Sequence, residues 1–93
     1  MSLVIEAEAG SITVPDSTLL AIAVAAAERV EGVRVLRRRS IDLDEAVVRI
    51  ALAAPRGEPL LELGQAAMNE VADSLAAMCG LEARVEITIG ELL

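Results

Sequence analysis

Between Glu58 and Ile89 the hydrophobic pattern changes period once, and the change falls on a glycine. Before it, Leu60, Gly64, Ala67, Met68, Val71, Leu75 and Met78 lie on one side at about 100° per residue, with Glu62, Gln65, Asn69, Glu70 and Asp73 outside that stripe. This predicts an amphipathic helix. Pro59 suits its first position, where a missing N–H costs nothing, and Gly80 suits the left-handed residue just past its end. After Gly80, Ala83, Val85, Ile87 and Ile89 alternate with Arg84, Glu86 and Thr88. That predicts a strand with one buried face and one face that is wet or covered by a partner.

The remainder of the chain divides by the same rules. Leu3–Glu8 and Ser11–Val14 are short β-prone runs around Gly10, either a hairpin-like bend or one edge strand with a bulge. Pro15, Asp16 and Ser17 supply helix-start chemistry for a helix over roughly residues 17–31, with Gly32 as its stop. Its inward stripe is Leu19, Ile22, Ala23, Ala26 and Val30, and Leu20 and Val24 lie off it. Val33–Leu36 reads as a short strand, Arg37–Ser40 as an edge or loop, and Ile41–Leu43 as a resumption before a turn at Asp42, Asp44 and Glu45. Ala46–Ala54 is apolar on both faces, as a central strand is, and Pro55-Arg56-Gly57 ends it.

The element order is thus β-α-β-β-α-β, with short connections. It predicts an α+β two-layer sandwich over residues 1–93, with two helices on one face of a mainly antiparallel sheet. Ferredoxin-like connectivity is the default for this order, and other strand orders satisfy it too.

Composition narrows the partners more than the fold. A chain of 93 residues makes one core, and the chain is 55% hydrophobic with no aromatic side chain, so no base-stacking platform exists. A net charge of −7 repels phosphate backbones, which argues against nucleic acid as a partner. The first residues carry acids where a signal peptide carries bases. The longest apolar run, Leu19–Ala27, is far shorter than the roughly 20 residues that span a bilayer, so no transmembrane segment is expected. One cysteine and no histidine fit a reducing cytoplasm, and within one chain they make neither a disulfide nor an ordinary zinc site.

The residue types that perform chemistry are dispersed. The acids lie singly on solvent faces, and Asp42, Asp44 and Glu45 lack the frame of a calcium loop. Cys79 borders the apolar stripe at a helix C-terminus, where the dipole opposes a thiolate, and reads as a packed, inert thiol. Gly64, in mid-stripe, reads as a close backbone approach to the sheet or to the first helix. No catalytic, metal-binding or cofactor-binding residue is assigned. Two features suggest contact with partners instead. Leu20 and Val24, one helical turn apart with small neighbours Ala21 and Ala27, form an apolar patch. Arg37, Arg38 and Arg39 are the only basic cluster, which either blunts a sheet edge or docks an acidic partner or anionic lipid heads.

Several segments together resemble a known family. Gly10-Ser11-Ile12-Thr13-Val14, Ile22-Ala23, Val30-Glu31-Gly32-Val33, Gly57-Glu58-Pro59-Leu60, Met78-Cys79-Gly80-Leu81 and Val85-Glu86-Ile87-Thr88-Ile89 are similar, in order and spacing, to the alkaline shock protein (Gls) family of bacterial envelope stress response proteins. The resemblance covers nearly the whole chain and rests mostly on glycines and apolar positions. It implies a non-enzymatic, cytoplasmic protein without cofactor that self-associates into a homo-oligomer and is held near the membrane by a separate anchor protein. Two departures bear on that partner surface. The segment between Val33 and Ala46 is shorter than is usual in the family, and Ala54-Pro55-Arg56-Gly57 stands in place of a tyrosine–glycine step. Two other classes share the element order. A small-molecule-binding regulatory module of ferredoxin-like type would need polar groups within its apolar faces to orient a ligand. An iron–sulfur cluster assembly domain places cysteine near the start of the second helix, where this chain has Glu58 and Pro59, so a cluster would need a second subunit.

Overall fold

The computed structural model describes residues 1–93 as β1 (Ser2–Ala7), β2 (Gly10–Pro15), α1 (Asp16–Ala27), β3 (Arg34–Asp42), β4 (Val47–Ala54), α2 (Leu60–Cys79) and β5 (Arg84–Leu92). This is an α+β fold. β3, β4 and β5 form one sheet in that order, with β3 antiparallel and β5 parallel to the central β4. The 20-residue α2 is the crossover that a parallel neighbour requires. β1 and β2 pair with each other alone, in register from Ser2 opposite Pro15 to Ala7 opposite Gly10.

The observed order β-β-α-β-β-α-β therefore differs from expectation in one respect. Gly10 belongs to a true hairpin, whose chain reverses at Glu8 and Ala9, and no N-terminal strand enters the main sheet. The ferredoxin-like strand order is accordingly not adopted. Two of the three strand pairs are antiparallel, so the sheets are mainly antiparallel as expected.

Val48, Ile50 and Leu52 project from one face of β4 into a single core with Val85 of β5 and Val35 of β3. Both helices pack on that face: α1 contributes Leu19, Ala23, Ala26 and Ala27, and α2 contributes Ala67, Val71, Leu75 and Cys79. The other face of β4 is thinly covered. Ala51 and Ala53 are buried there by their small size and by neighbouring strands. The Leu36 side chain crosses from β3 to within 3.2 Å of where a Cβ would stand on Gly90 of β5.

Both helices depart in detail from the sequence pattern. Helix α1 ends at Ala27, because the following N–H groups of Arg29 and Val30 donate to Ala26 and Ala27 in tight i→i−3 turns. The chain then reverses at Gly32, at φ 84°, where an added Cβ would stand 3.1 Å from the Pro55 ring. Pro59 precedes α2 as its N-cap rather than opening it. Gly80 does close α2 in the left-handed region at φ 65°, its N–H donating to the Ala76 carbonyl at 3.0 Å.

The covered side of α2 is also not one fixed stripe: it drifts from Leu63 and Ala67 near the start to Leu75 and Cys79 at the end. Cys79 and Ser74 are buried, whereas Leu60, Met68 and Met78 are 42%, 37% and 64% exposed. α1 presents chiefly alanines to the core, and Arg29 Nη1, just past its end, donates to the Ser74 hydroxyl of α2 at 3.2 Å. Arg29 also lies 3.6 Å from a Glu70 carboxylate oxygen.

Leu75 is fully buried, so Leu75→Ala is expected to cost about 2–5 kcal/mol through lost burial and a residual cavity. Met78→Ala, on the same sequence stripe but largely exposed, is expected to change stability by no more than about 0.5 kcal/mol. Denaturant unfolding of the two variants checks which side chains of the helix the core covers, since equal losses would place both in it.

Candidate interaction surfaces

The edge strand β3 carries the basic cluster, and an irregularity in it decides where each arginine goes. Val35 pairs with Leu52 and Arg39 with Ile50, so four residue steps on β3 oppose two on β4. Beyond the shift Arg39 stands on the helix-covered face, opposite the core residue Ile50, and lines a shallow groove with Leu20, Ala21, Val24 and Ala25 of α1. Its Nη1 donates to the Leu36 carbonyl at 3.1 Å. Arg38 lies on the opposite, open face near Ser40, Arg49, Ala51 and Thr88, and Arg37 is exposed.

Of the five residues singled out by sequence, the fold brings Leu20, Val24 and Arg39 together in one groove, and Arg39 also borders the open-face hollow that Arg38 lines. Val24 is half-buried against the margin of the core, and Leu20 is half-buried in the groove itself. At one end of the groove a Glu28 carboxylate oxygen accepts the Val35 N–H at 3.0 Å. That closes the start of the β3 edge to strand addition and leaves the rest of it open.

A second groove lies between α2 and the opposite edge strand, β5. Leu60, Leu61, Gly64, Gln65, Met68, Ile87 and Ile89 line it, and Leu61 is 80% exposed. Sequence reasoning missed it, because Leu60 and Met68 were placed inward and Leu61 was not considered. Leu61 lies about 60° from Gly64, at the margin of the same stripe, so helical phase does not mark it as exposed. Gly64 itself is a correction. A Cβ added there meets nothing within 4 Å, so the residue serves no close approach and faces the groove instead.

The β1–β2 hairpin offers a third surface. Leu3 pairs with Val14 and Ile5 with Ile12, which puts four apolar side chains on one face. Leu3 and Val14, at the base, pack against the core, while Ile12 is 55% exposed. The base is fastened by the Asp16 N–H donating to the Met1 carbonyl at 3.1 Å and by the Met1 ammonium 3.6 Å from the Asp16 carboxylate.

Some of the remaining polar groups have local partners. Asp42 Oδ1 accepts the N–H groups of Asp44 at 3.0 Å and Glu45 at 3.2 Å, so the acidic trio forms a side-chain-stabilised turn. On the open sheet face Arg49 Nε donates to Glu86 at 3.1 Å, and Arg84 lies 3.6 Å from the other oxygen of that carboxylate. Such exposed pairs contribute little to stability. Cys79 is buried at the C-terminal end of α2 within the core.

No family model matches the sequence, and no curated protein or solved structure is significantly similar to it. No helix is long and apolar enough to cross a membrane.

Gly64→Ala should stabilise the protein by about 0.5–1 kcal/mol, because an interior helical glycine is replaced at a point with room for a methyl group. Thermal unfolding checks this, and a loss of stability would mean that the backbone there is packed after all.

Proposed function

We propose that this domain is a non-enzymatic interaction protein that acts by self-association and by binding protein partners. In this reading it works in the bacterial envelope stress response, as its resemblance to the alkaline shock (Gls) family implies. Its place is then the cytoplasm, near a membrane to which a separate anchor protein holds it. The observation that carries the proposal is the groove in which Leu20, Val24 and Arg39 meet beside an open strand edge. An apolar floor with one charged rim residue, open along its length, matches a strand or helix of a macromolecule better than an enclosed small ligand.

The test is the double substitution Leu20→Glu with Val24→Glu. Neither side chain is fully buried, so the fold should survive, with an unchanged circular dichroism spectrum. Burying a side chain of this size contributes about 1.5–3 kcal/mol, so losing both should raise the self-dissociation constant about 100-fold or more. Sedimentation should then show the 9.7 kDa monomer at concentrations where the unaltered chain assembles. A folded double variant that assembles as before would remove this groove from the reading.

A further inference from the structure

Two surfaces of this chain lack a partner and match one another in length, polarity and charge. One is the β1–β2 arm. The molecule measures 51 × 20 × 18 Å. The 20-residue α2 is about 30 Å long, and the arm, with six residues per strand, about 20 Å. The arm pairs with no strand of the main sheet, and of its apolar side chains only Leu3 and Val14, at its base, pack against the core. A two-stranded ribbon with no third layer is marginal in water, and the outer part of its apolar face, Ile5 and Ile12, lies past the core.

The other surface is the α1–β3 groove. α1 has 12 residues and is about 18 Å long, close to the length of the arm. Its floor is Leu20, Ala21, Val24 and Ala25, and beside it runs the free edge of β3. The charges are opposite. The arm carries Glu6 and Glu8 and no basic side chain, whereas β3 carries Arg34, Arg37, Arg38 and Arg39, half of the arginines in an otherwise acidic protein.

We propose that the arm of one copy docks in the α1–β3 groove of a second copy. Its backbone extends the sheet at the free edge of β3, as an added strand does at any open edge. Ile5 and Ile12 cover Leu20 and Val24 on the helix side, and Glu6, which strand alternation puts on the other face of the arm, meets Arg38 on the open side of the sheet. Pro15 joins the arm to α1 with no intervening residue, so the arm has no slack with which to turn back onto its own groove, and the contact is made between chains. This inference rests on the reading that the groove is a contact surface and names its occupant.

The experiment uses two charge-reversed forms of the full chain, Glu6→Arg with Glu8→Arg, and Arg37→Glu with Arg38→Glu and Arg39→Glu. Each alone sets like charges against each other, and its self-dissociation constant should rise about 10-fold or more. Mixed in equal amounts, each arm finds a groove of opposite charge, and assembly should return in sedimentation velocity. An uncharged arm variant, Ile5→Ser with Ile12→Ser, should also lose assembly while its monomer melts as the unaltered chain does, because neither residue belongs to the core. If the arm variants assemble normally while Leu20→Glu with Val24→Glu does not, the groove is a contact surface but the arm is not its occupant, and the inference falls. It falls equally if both reversed forms are folded and their mixture remains monomeric.

Discussion

Strand β4 is the element on which every other part of the body depends. It is the only strand hydrogen-bonded along both edges, antiparallel to β3 and parallel to β5, and six of its eight residues are fully or almost fully buried besides Val47. The rest of the arrangement follows. A parallel partner requires a long crossover, and α2 is that crossover. Its inward side must then cover Val48, Ile50 and Leu52, which leaves α1 to close the core from the β3 side. Because one face of β4 is reserved for the helices, the other can be covered only by short or crossing side chains, and alanines at 51 and 53 with Leu36 reaching over them meet that need.

The absence of aromatic residues shapes the core. Without rings to fill space, the helices close on each other through Ala23, Ala26 and Ala27 against Ala67, Val71 and Leu75. Close approach of small side chains retains packing density, since contact rather than side-chain size provides the dispersion energy. Leu60, Leu61 and Met68 lie on the β5 side of α2, where they remain exposed and line the groove along β5.

What the sequence showed, and what it hid, follows from the range of each interaction. The change of period at Gly80, the two-faced apolar run in β4 and the turn at Asp42 are local signals, and each is realised where it was read. The side of α2 that is covered is not set locally. Met78 lies in helical phase between the buried Ala67 and Val71 yet is exposed, so its place along the helix and not its phase decides. The register shift between Val35 and Arg39 has no glycine or proline to announce it, yet it determines which of three consecutive arginines stands beside Leu20. Gly10 fits a hairpin and a bulge equally well, and the choice rests on whether β1 finds an edge of the main sheet to join.

The junction between the arm and the body determines what an arm-mediated contact could build. Pro15 ends β2 and Asp16 begins α1 with no residue between them, and the proline holds φ at −62° and ψ at 154°. A ring-restricted residue in the extended region transmits direction, so the arm is a fixed spur and not a tether. A spur that seats in a groove elsewhere on the next copy makes a heterologous contact, in which two different surfaces meet. Such contacts close only when the rotation from copy to copy permits it: two copies exchanging arms make a closed pair, and any other fixed rotation makes a ring or an open row. The angle at Pro15, together with the line of the groove along α1, therefore sets the symmetry of the assembly, while Ile5, Ile12 and the charges set its strength. Changing the side chains of the arm would alter affinity at constant geometry, whereas loosening the Pro15 junction would alter geometry at nearly constant contact chemistry.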